Sequence, residues 1–410
     1  MRDNALTLAL RRRGHDALMV PLYLPPILDE ESASPNQNLF YGGINVYLQQ
    51  TSNLFHKTPR WLDKWLDSPK LLAQVAQRAG MTPAEKLGSL TLSTLRGEEG
   101  RQLKELSRLT DWLVSEVKAD VVCLSNALLI GMAPFIKKRT GAKVLCTLQG
   151  EDYFLDSLSE ADSRACWDTL SEKAKSVDAL IPVSRYYGNL MQRRAHFDPN
   201  RLHVLYNGIA LDGYPQTLPS SLPNPPVVGY FARMNPLKGL GELVSAYSLL
   251  RQRNRIPNVR LRVGGSQTAG DALYVALLEK QLREAGLEGE FEFLPNLSRS
   301  EKITFLQSLS VLSVPATYGE SFGLYLLEAW AAGVPVVQPR HAAFPELIEE
   351  TQGGLLCEPN SPESLAETLE SLLLDPTKQR ELGANGHNAV FSRFNVDRMA
   401  EEFLAICEQA

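Results

Sequence analysis

No stretch of these 410 residues approaches the roughly 18 consecutive apolar positions that a membrane-crossing helix needs, so the sequence carries no such span. The first residues also lack the order of a secretory leader, because Arg11-Arg12-Arg13 follows the short apolar patch instead of preceding it. An excess of positive charge is missing too. The chain has 42 Lys and Arg against 47 Asp and Glu, a net −5, so composition implies no polybasic face for nucleic acid or anionic membrane; no nucleic acid is expected as a partner, and peripheral membrane contact stays open. The five cysteines (Cys123, Cys146, Cys166, Cys357, Cys407) are odd in number and contain no close pair, which argues against a disulfide framework. Cys123 and Cys146 fall in apolar strand-like runs and read as core thiols, and a reducing cytoplasm fits this usage. His, Cys and Asp form no cluster with metal-ligand spacing, so neither a metal nor another cofactor is expected.

What is present is an alternation of short apolar runs with longer amphipathic ones, the pattern of an α/β chain with parallel sheets. Strands are expected at Ala17–Val20, Val121–Leu124, Val144–Leu148, Ala179–Val183 and His203–Leu205. A second set is expected at Val227–Phe231, Arg260–Val263, Glu290–Leu294, Val311–Val314 and Val334–Gln338. Between the sets, Leu211 to Pro226 is rich in Pro and Ser and reads as a linker. The division predicts an N-terminal domain over 1–214, with a charged helical insertion at about 53–116, and a C-terminal domain over 222–394. A helix over 395–410 completes the chain. Two doubly wound domains facing each other would place a ligand cleft at the carboxyl ends of their strands. Trp61 and Trp65, one helical turn apart in the insertion, read as packing residues or as a platform for a stacked sugar.

The most informative segment runs from Val314 to Val337. An apolar strand ends in a loop that places Glu320 just before a helix start, where Ser321 can cap and Gly323 leaves the first turn bare. Such a helix end presents free N–H groups and the positive end of its dipole, which suits a phosphate. Glu328 follows Glu320 by eight residues. At about 1.5 Å per helical residue the two carboxylates would lie roughly 10 Å apart, the span of a sugar–diphosphate–ribose unit. A nucleotide-sugar site is one reading; an ordinary βα unit with Glu328 as a solvated carboxylate is the other. Upstream, Val227 to Gly239 reads as strand, loop and helix, with Arg233 and Lys238 on the loop. On their own they read as ordinary solvated cations at the edge where ligands bind.

Glu320 and Glu328, with Ser-Phe-Gly-Leu after the first and Ala-Trp-Ala-Ala-Gly-Val-Pro-Val-Val after the second, resemble the Glu-x7-Glu signature of the family 4 retaining glycosyltransferases. Arg233 and Lys238-Gly239 resemble the same family's Gly-Arg…Lys-Gly motif, and Arg262-Val263-Gly264-Gly265 its strand-to-loop glycine segment. The resemblance implies the GT-B fold, two doubly wound Rossmann-like domains facing a cleft, with the final helix crossing back to the first domain. It also implies transfer of a sugar from a nucleotide-diphosphate donor with retention of configuration. Arg233 and Lys238 would then hold the leaving diphosphate, Glu320 the sugar and Glu328 the ribose. Ser321, Phe322, Gly323, Leu324 and Gly265 would line the donor, with Leu294 where the chain passes the nucleotide base. The nucleotide sugar is a substrate, and no protein base is required.

The first domain matches less densely. Leu148-Gln149-Gly150-Glu151-Asp152 follows a strand where relatives carry His at or near Gln149, and Tyr41-Gly42-Gly43-Ile44 can open a helix. Gly42, Gly43, Gln149, Gly150, Glu151 and Asp152 are therefore candidates on the acceptor side, the acceptor being a glycan, a lipid-linked sugar or a small molecule. The family begins with an apolar strand and a Gly-rich loop ahead of the helix that ends at Arg13-Gly14-His15, whereas this chain starts inside that helix. The resemblance therefore predicts that Met1 is internal to a longer reading frame. A sugar-nucleotide epimerase and a non-catalytic nucleotide-sugar binder are the rival expectations.

Overall fold

The computed structural model describes residues 2–22, 31–34, 84–219 and 221–410. Trp61, Trp65, Gly42 and Gly43 lie outside the described residues. The chain divides into two compact units: 1–205 with 400–410, and 206–399.

Unit 1 is built on a parallel three-stranded sheet, β1 (Val121–Leu124), β2 (Lys143–Leu148) and β3 (Ala179–Pro182), in that order. β2 is central, and its Val144 to Leu148 are all buried, as a strand covered on both faces requires. β1 is the outer strand in this order, and so Cys123, expected in the core, is exposed, whereas Cys146 on β2 is buried. The helices are α1 (Arg2–Arg12), α2 (Ala84–Leu95), α3 (Leu103–Trp112), α4 (Ala133–Thr140), α5 (Glu151–Asp156), α6 (Glu160–Ala174) and α7 (Arg185–Ala195). Ser159 and Ser184 cap α6 and α7, accepting from Asp162 N and Tyr187 N. The described part of the expected insertion is core: Leu95, Leu106, Leu109 and Leu113 pack with Val144, Cys146 and Leu148.

The strand expected at 17–20 does not form. Its carbonyls are taken by side chains instead, Ala17 O by Arg11 Nε at 2.7 Å and Met19 O by the Ser34 hydroxyl. The segment at His203–Leu205 does extend the sheet, through His203 N to Leu180 O (2.9 Å) and Leu205 N to Pro182 O (3.0 Å).

Unit 2 holds a parallel six-stranded sheet: β4 (Val227–Phe231), β5 (Arg260–Gly265), β6 (Phe291–Pro295), β7 (Val311–Leu312), β8 (Val336–Pro339) and β9 (Gly354–Cys357). Its order is β6-β5-β4-β7-β8-β9. The chain winds outward from β4 in one direction and then returns to wind outward in the other, so β4 and β7 form a topological switch point. Helices α8 (Leu240–Arg253), α9 (Ala272–Glu284), α10 (Arg299–Gln307), α11 (Leu324–Ala331), α12 (Phe344–Thr351), α13 (Pro362–Leu373) and α14 (Pro376–Ser392) connect and follow the strands. The last helix, α15 (Val396–Gln409), begins in unit 2 and ends in unit 1. The ladder of β8 starts later than its apolar run because Pro335 has no N–H; its carbonyl still accepts from Leu312 N at 3.0 Å.

Residues 206–226 are part of unit 2. The Tyr206 ring lies 6.3 Å from Phe322 and 5.5 Å from Phe394, its hydroxyl donates to Glu346 at 2.8 Å, and Ile209 bridges to Asn395. Packing of these apolar side chains overrides the proline-rich composition.

Candidate functional site

At a switch point the loops leaving two neighbouring strands diverge and open a crevice at the carboxyl edge. Here those loops follow β4 and β7; Gly239 lets them approach each other, and Gly265 lets the end of β5 approach the β4 loop. A Cβ on Gly239 (φ +72°) would fall 1.8 Å from Pro315 O, and one on Gly265 (φ +125°) 1.9 Å from Ala232 O. The loop after β4 folds into a turn in which the Asn235 side chain accepts from Lys238 N at 3.1 Å. Thr317 N donates to Leu237 O at 3.0 Å, joining the loops.

This arrangement brings Lys238 to Glu320, with Nζ 2.5 Å from Oε2. The Tyr318 and Tyr325 hydroxyls donate to the same oxygen at 3.0 and 3.1 Å. Lys238 also contacts the Tyr318 hydroxyl and stands 4.8 Å above that ring. Burial, and next the Glu320 charge, push the Tyr325 phenol well above its usual pKa, so it stays a donor. Three donors converge on Oε2 while Oε1 accepts from none of the described residues. The carboxylate is held yet half vacant.

Arg233, on the same loop, directs its guanidinium at Asp271, with Nε 3.3 Å from Oδ2 and a terminal nitrogen 3.2 Å from Oδ1. Its side chain is 51% exposed, so solvent or a ligand can compete for it. Burial raises the Asp271 pKa, but the Thr268 hydroxyl and N–H and the Arg233 guanidinium outweigh it and hold the carboxyl below its usual value.

Helix α11 starts at Leu324. Its N-cap is Gly323 (φ +93°), with no side-chain cap, so Ser321 does not cap this helix; it is buried two residues earlier. Leu326 N bonds to Gly323 O at 3.0 Å, while the N–H groups of Leu324 and Tyr325 meet no acceptor among the described residues. Glu320 therefore precedes the helix, and a rise counted over eight helical residues does not describe its separation from Glu328. Phe322 is buried against Tyr206, so only its backbone is left for a ligand. Gly265 and Leu294 lie at the carboxyl ends of β5 and β6. Glu328 is paired with Lys302 of α10, Nζ 2.8 Å from Oε1.

In unit 1, Glu151 is engaged by its own chain. It accepts from Ala127 N (2.9 Å), Gln149 N (2.9 Å to Oε2), Gly150 N (3.0 Å) and the Tyr187 hydroxyl (2.8 Å). Reading it as an acceptor contact is thereby replaced by a structural role. Gln149 Nε2 donates to Ser125 O at 2.6 Å. Asp152 differs: its Oδ1 is buried without a partner, and burial raises its pKa against the pull of the Tyr187 hydroxyl and nearby N–H groups.

Sequence reasoning did not single out Tyr318, Tyr325, Asp271 or Lys302. Only Asp271 left a signal, the Thr268-Ala-Gly-Asp271 capping box. Among the described residues no group of three or more His, Cys, Asp or Glu can hold a metal ion, and no helix is long and apolar enough to cross a membrane.

Comparison with known proteins follows the division into units. Residues 219–389 match the family model "Glycosyl transferases group 1" and residues 41–212 match "Glycosyltransferase Family 4". A D-inositol 3-phosphate glycosyltransferase of Mycobacterium sp. (strain JLS) is 30% identical over 222 residues, 52% of this chain and 49% of that protein. The chain thus spans about half the length of the curated relatives it matches. Among solved structures, Anabaena HepE in complex with UDP superposes with a TM-score of 0.65 at 19% identity, covering 77% of this chain and 84% of that one. Sucrose-phosphate synthase from Thermosynechococcus elongatus gives 0.63 at 20% identity, covering 75% and 78%. These likenesses show the fold, GT-B with two Rossmann-like domains.

Proposed function

The chain belongs to glycosyltransferase family 4, and from that premise we propose that it moves a sugar from a nucleoside-diphosphate donor to an acceptor hydroxyl with retention of configuration. The observation that carries this reading is the Lys238–Glu320 pair at the switch point, with a cation ready for the diphosphate and a carboxylate oxygen open for a sugar hydroxyl. Lys238, Arg233 and the uncapped start of α11 would stabilise the negative charge that grows on the departing diphosphate. Such contacts strengthen as the bond breaks, which is what lowers a barrier. Glu320 would orient the sugar through Oε1, and Glu328 would take the ribose. The acceptor oxygen would attack the anomeric carbon on the face the diphosphate leaves, its proton passing to a phosphate oxygen, so configuration is kept and no protein base is needed. In unit 1, Asp152, with its unpartnered Oδ1, is the group we assign to the acceptor. Its neighbours Gln149 and Gly150 shape that loop. The unpaired cysteines fit a reducing cytoplasm.

HepE was solved with UDP and the Mycobacterium relative is named for inositol phosphate, so those chemistries are tried first. The protein is incubated with a panel of UDP-, GDP- and ADP-sugars and with D-inositol 3-phosphate among a set of sugar and polyol acceptors. Product anomers are read by NMR. A product whose anomeric configuration matches the donor supports the proposal. An inverted product removes the retaining mechanism, and nucleotide binding without any turnover favours a non-catalytic binder.

A further inference from the structure

Helix α10 turns an apolar face inward, with Ile303, Phe305 and Leu306 buried, and one cation shares that burial. Lys302 has 6% of its side chain exposed and Glu328, its partner on α11, 16%. Taking two charges this far out of water costs more than their attraction returns on a surface, and an apolar residue would fill the position on α10 without that cost. The contact is also one-sided. Nζ meets Oε1 at 2.8 Å, while Oε2 accepts from none of the described residues.

We propose that Lys302 is a positioning residue for the donor's ribose. It fixes the Glu328 carboxylate through Oε1 and presents Oε2 to a ribose hydroxyl. The inference rests on the assignment of Glu328 to the ribose made above. A purely structural pair predicts something different, a loss of stability without any change in how the protein reads the sugar of the nucleotide.

The test measures, by calorimetry, the affinity of the full chain for UDP, GDP and ADP, and for the 2′,3′-dideoxy form of whichever binds best. One charge-assisted hydrogen bond to the ribose gives wild type a preference of about ten- to a hundredfold for the ribose form. In K302M that preference falls below about threefold, while affinity for the dideoxy form stays near wild type. K302Q is read in the same way where K302M does not fold. A Lys302 variant that keeps the wild-type preference overturns the inference, even with a lowered melting temperature. So does a variant that loses affinity for both forms equally, because Lys302 would then be touching the phosphates. E328A separates the two readings. If it keeps the preference, the ribose assignment of Glu328 fails; if it loses the preference and K302M does not, only the role of Lys302 fails. A wild-type protein that binds no nucleoside diphosphate overturns both.

Discussion

Glu151 and Glu320 stand in comparable places, each at the carboxyl edge of a parallel sheet and each buried, at 5% and 7% exposure. Their surroundings separate them. Glu151 spends both oxygens on its own chain, gathering three backbone N–H groups and the Tyr187 hydroxyl from segments that follow β1, β2 and β3. Glu320 has all its donors on Oε2, and one of them is a lysine able to turn to another anion. A saturated carboxylate holds a fold, because every donor it releases is left unsatisfied in the interior. A half-saturated one has capacity left for a ligand. Burial and position do not tell the two apart, but the count of donors does.

The comparison is broken most directly at Glu151. Glu151→Ala leaves three N–H groups and a phenol without their acceptor and should cost about 3–5 kcal/mol of stability. Urea unfolding followed with and without nucleotide gives the result. The transition of unit 1 moves to lower urea, while the transition that nucleotide stabilises stays where it was. Unchanged stability with lost transfer would make Glu151 a ligand group and erase the distinction.

Glu320→Gln keeps the shape and removes the charge. Transfer should fall about a hundred- to a thousandfold, equivalent to roughly 3–4 kcal/mol of transition-state stabilisation. Free nucleoside diphosphate should bind within threefold of wild type, since the sugar is absent from that ligand. The kinetics and a titration together decide it, and equal losses in both would move Glu320 from the sugar to the nucleotide.

What could be read from the chain alone follows the same line. The strand positions of unit 2 up to β8 come from its apolar runs, and Arg233, Lys238 and Glu320 follow those runs closely, so their placement on loops after strands was legible, as was that of Glu328 on the helix that follows. Ser321 was misread as a cap because the motif does not show that Gly323 takes a positive φ and starts the helix two residues later. Lys302 could not be found, since its role depends on a residue 26 positions away, and Asp271 left only a capping-box signal, its pairing with Arg233 spanning 38 positions. Glu151 read as an acceptor-side candidate because its donors come from three segments that only the folded sheet brings together. At residues 17–20 the apolar run was real, but side-chain donors from Arg11 and Ser34 took the carbonyls a ladder needs.

Arg233 tests the middle ground, a group with a partner and half its surface still exposed. Arg233→Ala should weaken nucleoside-diphosphate binding about ten- to a hundredfold, or roughly 1.5–3 kcal/mol, with thermal stability nearly unchanged. Calorimetric titration checks it. Full affinity in the variant would mean that Asp271 keeps the guanidinium away from the phosphates.

Asp271 is the finest probe, because donor counting places it beside Glu151. Its Oδ2 accepts from Thr268 N at 2.9 Å and Thr268 Oγ1 at 2.6 Å, and both oxygens face Arg233. These contacts hold its folded pKa below the ordinary 3.8 despite burial, which acts in the opposite direction. A carboxyl with a depressed folded pKa contributes stability that is fully present above its unfolded value and disappears as pH falls through the folded one. Wild type should therefore exceed Asp271→Asn in stability by a constant margin from pH 5 to 8, about 0.5–1 kcal/mol because the guanidinium is half exposed. Below about pH 4 the margin should shrink toward zero as the carboxylate takes up its proton. Urea midpoints of both proteins along that pH series give the answer. A margin that grows on acidification would require a raised folded pKa at Asp271, and would show that its donors do not hold the carboxylate as their count implies.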